Sequence, residues 1–90
     1  MDMEFRWIDW NIQKCVRHGV RPVEAEYVVR HASRPYPCQI GDEKALVRGQ
    51  TDAGRYLQVI YLLDEDETVF VIHAMPLTVK KKRTHRRRQR

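Results

Sequence analysis

A β-hairpin is predicted by residues 44–63, which read KALVRGQTDAGRYLQVIYLL. Residues 44–50 alternate between the two sides of a strand. One side carries Lys44, Leu46, Arg48 and Gln50, and the other carries Ala45, Val47 and Gly49. Residues 51–54, Thr-Asp-Ala-Gly, have the length and composition of a hairpin turn. Residues 55–63 are apolar on both sides, so they predict the central and most buried strand of a sheet.

The chain continues from this hairpin into a third strand. The acidic residues 64–67 form the next turn, and residues 68–74 form the strand, which Pro76 stops. Together the three strands make an antiparallel meander. Thr78 is the candidate N-cap of a last, short helix made of the basic residues that follow it.

A first helix is predicted before the meander, after a short N-terminal strand at residues 4–7. Asp9 is its expected N-cap, and the apolar residues around it repeat at helical spacing on one face. They are Ile8, Ile12, Cys15 and Val16. The helix is expected to end at His18, with Gly19 supplying the left-handed residue that closes it.

A second helix is expected to start at Pro22, because proline suits the first turn of a helix. Its apolar side carries Val23, Tyr27 and Val28. Residues 32–38 contain two prolines and are expected to be a loop. The complete order predicts one α+β domain with its helices on one sheet face: a short N-terminal strand, two helices, a three-stranded antiparallel meander and a short basic C-terminal helix. We place the body at residues 1–79 and the basic C-terminal helix or tail of the same domain at residues 80–90.

Charge is distributed unevenly along the 90 residues, whose formal net charge is +5. Residues 80–90 contain eight of the seventeen Lys and Arg residues and no acidic residue, while the rest carries more acidic than basic groups. Such an end favours a polyanionic partner, most commonly nucleic acid, although a solvated charged end has the same composition. No run approaches the roughly twenty apolar residues of a membrane span, and residues 1–4 lack a signal-peptide pattern. We therefore expect a cytoplasmic protein, with Cys15 and Cys38 reduced.

Two longer motifs resemble those of a known family. The first is FRWIDWNIQKCVRHGVRPVEAE at residues 5–26, in which Trp-x-x-Trp-Asn precedes His-Gly-Val-x-Pro-x-Glu-x-Glu. The second is GQTDAGRYL at residues 49–57. With Val-Ile-His-Ala at residues 71–74 and a basic end, this series resembles the BrnT family of bacterial toxins in its order and spacing. The resemblance covers nearly the whole chain.

The resemblance implies a RelE-like fold and a ribonuclease that is the toxin of a type II toxin–antitoxin pair. Nucleases of this kind make the RNA 2′-hydroxyl attack the adjacent phosphate and require no metal or other cofactor. The implied partner is a BrnA-like antitoxin with a ribbon-helix-helix segment, which forms a hetero-oligomer with the toxin and alone contacts operator DNA. The alternative is a non-catalytic relative that binds nucleic acid or antitoxin, with lost or weak nuclease activity.

The implied reaction needs a base, a cation for the phosphate and an acid for the leaving oxygen. Arg48 and Arg55, on neighbouring strands near the turn at residues 51–54, are candidates for the phosphate, because a guanidinium donates two hydrogen bonds at once. The other interpretation of both residues is that they are solvated charges at strand edges.

His73 is the candidate base or acid, since histidine titrates near neutral pH. It alternates with Val69 and Val71, so it points away from the helices if Phe70, Ile72 and Ala74 point towards them. Its other interpretation is a partly buried histidine that is hydrogen-bonded at a strand end.

Other basic side chains complete the candidate site. His18 follows the first helix, where a purely structural role would be to bond the last helical carbonyls. Lys14 lies one turn earlier and either shares the side of His18 or is solvated. His85 stands where relatives have a tyrosine and is a further candidate acid or base. RNA binding is assigned to Lys14, Lys80, Lys81, Lys82, Arg83, Arg86 and Arg87.

The cysteine and histidine spacing does not predict a zinc site, and Cys15 falls on the apolar helix face, as a core residue does. Trp7 and Trp10 either stack on bases or contact the core or a partner.

The sequence departs from the family after the third strand. Relatives there often have Ala-Arg, whereas Ala74 is followed by Met75 and Pro76. An arginine that could hold the scissile phosphate is therefore missing, and the loss of one such group can cost about two to three orders of magnitude in rate. Lys81 also replaces the acidic residue of the family's closing helix. These departures are the reason for keeping the non-catalytic alternative.

Overall fold

A computed structural model describes residues 3–77 and shows two helices and one four-stranded antiparallel sheet. Helix α1 spans Asp9–Val16 and helix α2 spans Pro22–Arg30. The strands are β1 at Cys38–Gln39, β2 at Lys44–Gln50, β3 at Tyr56–Leu63 and β4 at Val69–Pro76, and they neighbour one another in this order. The predicted α+β class is confirmed. The expected C-terminal helix and its cap Thr78 lie outside the described residues.

The sheet has one strand more than the predicted meander. Strand β1 begins at the last residue of the segment expected to be a loop, and it pairs with only two residues of β2. Conversely, the N-terminal strand expected at residues 4–7 is reduced to a single parallel bridge between Phe5 and Val69. A strand that pairs through only one or two residues has no apolar–polar alternation long enough to be recognised in a sequence.

The hydrophobic core lies on one face of the sheet. Alternate residues of β2 and β3 are buried there beside residues of β4, and α2 packs on them: Ala25, Val28, Val29, Ala45, Val47, Leu57, Val59, Tyr61, Val69, Val71 and Ala74. Strand β3 is internal, as predicted, but only one of its faces is buried. Val23, expected on the apolar side of α2, is 59% exposed. No helix among residues 3–77 is both long and apolar enough to cross a membrane.

A β-bulge in β4 changes which of its residues face the core. The register with β3 shifts by one residue at Ile72. Val71 before the bulge and Ala74 after it are both buried. The condition that Phe70, Ile72 and Ala74 all face the core is therefore not met, because the bulge interrupts the alternation. His73 nevertheless lies on the face opposite the core, since it pairs with Ile60.

A buried asparagine organises the start of α1. The N-cap is Ile8, one residue earlier than the predicted Asp9. Asn11 is fully buried, and its Oδ1 accepts the Ile8 N–H at 2.7 Å while its Nδ2 donates to the Arg6 carbonyl at 3.1 Å. One side chain thus satisfies a donor at the helix start and an acceptor in the segment before it.

The connection between the helices follows the sequence signals. The α-helix ends at Val16, earlier than the predicted His18, and Gly19 has the predicted left-handed conformation at φ 73°. Pro22 is the first residue of α2, as predicted. Cys15 is fully buried beneath this turn, and its burial raises the pKa of the thiol to about 11, so the group is neutral at physiological pH.

Candidate functional site

The sheet face opposite the core carries polar side chains of three neighbouring strands. Arg48 of β2 pairs across the sheet with Gln58 of β3, and the Arg48 Nε–H donates to Gln58 Oε1 at 3.0 Å. His73 of β4 pairs with Ile60, two residues along β3 from Gln58, so the two polar side chains are diagonal neighbours. All three polar residues are half-buried. We call this side of the sheet the outer face.

A second histidine reaches the outer face from α1. The rings of His18 and His73 meet edge to face, with their centroids 5.5 Å apart and an interplanar angle of 64°. His18 is positioned by the turn that follows α1, which Gly19 closes. The structure therefore brings together the two histidines that the sequence singles out in the described part of the chain.

Lys14, one helical turn before His18, places its ammonium group over the Trp10 ring. Its Nζ is 5.2 Å from the centroid of the Trp10 ring. Trp10 in turn stacks on Phe70 of β4 with a centroid separation of 6.0 Å and remains 49% exposed. Trp10, Phe70 and Lys14 thus form an aromatic and cationic surface that joins α1 to β4.

Arg48 and Arg55 lie on opposite sides of the sheet. Arg48 is on the outer face, whereas Arg55 is on the core side, where its Nη1 donates to Glu24 Oε1 of α2 at 3.2 Å. The hairpin register explains the difference, because Arg48 pairs with Gln58 and Arg55 is three residues from that partner. Three residues along a strand change the face. The two arginines therefore do not face one common phosphate.

Glu24 also fixes the start of α2, since its Oε1 accepts the Arg21 N–H at 2.9 Å. Arg55→Ala should therefore lower the free energy of unfolding by about 0.5–1 kcal/mol, a modest amount because Arg55 is partly exposed. Urea denaturation of Arg55→Ala, Glu24→Ala and the double variant measures the coupling. Arg34→Ala, on an exposed loop residue, is the matched control. Additive effects of the two substitutions would contradict a stabilising ion pair.

Residues of the longest family-like motif connect the helices and the sheet. Trp7 is half-buried, and its Nε1–H donates to Glu26 Oε2 of α2 at 2.6 Å. Asn11 joins the start of α1 to the segment before it, and Glu24 joins α2 to the hairpin. The structural interpretation of Trp7 as a contact within the domain is thus the one observed.

Sequence reasoning missed Gln58, which holds Arg48. Its position follows from the hairpin, because a turn at residues 51–54 places residues 48 and 58 opposite each other. The other assigned candidates lie outside the described residues: His85, Lys80, Lys81, Lys82, Arg83, Arg86 and Arg87. Within residues 3–77, no group of three or more His, Cys, Asp or Glu side chains is arranged to hold a metal ion.

Comparison with known proteins does not add a relative. No protein-family model matches the chain, and neither a curated protein nor a solved structure matches it. Its function must be inferred from its own residues and their geometry.

Proposed function

We propose that this chain is a metal-independent ribonuclease and the toxin of a type II toxin–antitoxin pair, with a RelE-like arrangement of its helices and sheet. The observation that supports this best is the contact between His18 and His73 on the outer face, with centroids 5.5 Å apart. The proposed family and the proposed partner come from the resemblance of the two longer sequence motifs to BrnT toxins. That partner is a BrnA-like ribbon-helix-helix antitoxin, through which alone the pair contacts operator DNA.

The histidine pair supports acid–base cleavage of RNA. One imidazole takes the proton of a 2′-hydroxyl, whose oxygen attacks the neighbouring phosphorus, and the other gives a proton to the leaving 5′-oxygen. The products are a 2′,3′-cyclic phosphate and a 5′-hydroxyl end. At this separation the rings touch each other, so the phosphodiester would lie beside the pair rather than between its members.

Arg48 is the cation of the outer face that best suits the phosphate. Its Nε–H is held by Gln58, which fixes the plane of the guanidinium. A guanidinium has five N–H donors and this bond uses one, so the group keeps the capacity to bind a phosphate with two parallel bonds. The basic residues 80–90 add positive charge to the chain, which attracts either RNA or an acidic antitoxin surface.

The test of this function is cleavage of a fluorescently labelled single-stranded RNA by the purified full chain in EDTA. We expect products with 2′,3′-cyclic phosphate ends, and we expect induced expression to arrest growth. Co-expression of a neighbouring ribbon-helix-helix gene should restore growth. A folded chain that neither cleaves RNA nor slows growth would refute the proposal.

A non-catalytic role is the second candidate, and the placement of Arg55 favours it. Arg55 is paired with Glu24 on the core side, and Met75 and Pro76 follow Ala74, so the outer face carries less positive charge than the sequence resemblance implies. A binding module would retain RNA or antitoxin without cleaving RNA. Its affinity for RNA would fall steeply with salt and would require residues 80–90.

A further inference from the structure

A cavity of about 330 Å³ borders the open end of β2. Strand β1 pairs only with Ala45 and Leu46, and within residues 3–77 no strand covers the outer edge of β2 beyond them. The cavity lies there, between α2, the segment that follows it and the hairpin. Residues that line it include Tyr27, His31, Ser33, Arg48, Gln50 and Tyr56. Its size is at the lower end of the range for sites that bind small organic molecules.

One wall of this cavity is a fixed aromatic pair. Tyr27 and His31 lie one turn apart on and just after α2, with ring centroids 4.0 Å apart and an interplanar angle of 22°. The His31 Nδ1–H donates to the Tyr27 carbonyl at 2.9 Å, which holds the imidazole in the stack. His31 is exposed and Tyr27 is half-buried. A planar ligand that stacks here would add a third ring to an ordered pair.

The polar part of the lining suits an anion that also forms hydrogen bonds. Arg48 brings a positive charge, and none of the described residues that line the cavity is acidic. Ser33 and Gln50 supply a hydroxyl and an amide, which can both donate and accept. An aromatic platform beside an arginine and small polar groups is the combination that proteins use for single-stranded nucleotides.

We propose that this cavity binds one nucleotide of a single-stranded RNA, with the base stacked on Tyr27 and His31 and a phosphate at Arg48. The inference rests on the proposed function in that it takes RNA as the substrate. Arg48 belongs both to the outer face and to this cavity. The bound nucleotide would therefore lie next to the one that is cleaved, and the cavity would set a base preference beside the cleavage point.

Binding is tested by NMR titration of the ¹⁵N-labelled full chain with 5′-AMP, 5′-CMP, adenosine and inorganic phosphate in turn. We expect both nucleotides to shift the amide signals of residues around the cavity, above all those near Tyr27, His31 and Arg48. Adenosine should shift the same signals more weakly. Shifts with phosphate equal to those with the nucleotides would overturn the proposal, because they would show an anion site without base stacking.

Amino-acid substitutions test whether 5′-AMP binding depends on stacking of the base on the aromatic pair. His31→Ala should weaken 5′-AMP binding about tenfold, in line with the loss of one base–aromatic stack, and it should not unfold the chain because His31 is exposed. Gln13→Ala, a substitution on the exposed side of α1, should bind 5′-AMP normally. Unchanged 5′-AMP binding by His31→Ala would overturn the proposal.

The two proposals fail in different ways. A chain that binds nucleotides at this cavity but never cleaves RNA would refute the ribonuclease and leave the nucleotide site standing. A chain that cleaves RNA with the same base preference before and after His31→Ala would refute the nucleotide site and leave the ribonuclease standing.

Discussion

His73→Ala is expected to slow RNA cleavage by about 10²–10⁴-fold, the usual contribution of one positioned acid or base. His73 is the strand residue of the histidine pair, and its ring contacts His18 on the outer face. Single-turnover cleavage of a labelled RNA measures the loss.

The controls for His73→Ala test whether the variant is folded and whether His73 and His18 act together. Urea denaturation shows whether His73→Ala remains folded, and His73→Gln gives a polar side chain of similar size. If the two histidines act in one step, His18→Ala should be about as slow, and the double variant should be little slower than either. Cleavage by His73→Ala at the wild-type rate would remove the histidine pair from the mechanism.

Asn11→Ala is expected to lower the free energy of unfolding by about 1–3 kcal/mol, because it removes both hydrogen bonds of a fully buried side chain and leaves a part-buried donor and acceptor without that partner. The affected groups are the Ile8 N–H and the Arg6 carbonyl, which Asn11 now bonds at 2.7 and 3.1 Å. Urea denaturation followed by tryptophan fluorescence measures the change. Amide exchange at Ile8 should accelerate in the variant.

Gln13→Ala is the matched control for Asn11→Ala, since it removes an exposed amide side chain from the same helix. Its effect should stay within about 0.5 kcal/mol, as for most surface substitutions. A loss below about 1 kcal/mol for Asn11→Ala would mean that the two bonds exchange readily with water. The asparagine of the family-like motif would then need a role other than organising the start of α1.

Elements with strong local signals were predicted well. Strand β2 has the predicted bounds, because its alternation and the turn at residues 51–54 are both encoded by neighbouring residues. Gly19 has the predicted left-handed conformation and Pro22 starts α2 for the same reason. Such signals depend on backbone preferences that act within one or two turns of chain.

Features that depend on pairing across the sheet were not predicted. Strand β1 exists only because Cys38 and Gln39 lie beside β2. The separation of Arg48 and Arg55 to opposite sides follows from the hairpin register together with the Glu24 contact. The aromatic pair at Tyr27 and His31 has helical spacing, but its cavity requires the uncovered edge of β2. The sequence patterns identified the candidate residues more accurately than they identified the cavity and the sheet faces that those residues form.

The bulge at Ile72 shifts the inward and outward alternation of β4 side chains by one residue. Uninterrupted alternation from buried Val71 would turn His73 into the core and Ala74 towards His18. The extra residue reverses the orientation of both side chains. This one inserted position therefore decides whether the His73 imidazole is buried in the core or lies beside the ring of His18. A chain with a regular strand here would present position 72, and not position 73, on the outer face. Whether a related sequence places a strand histidine beside the one at the end of α1 therefore depends on residue count as much as on the presence of a histidine.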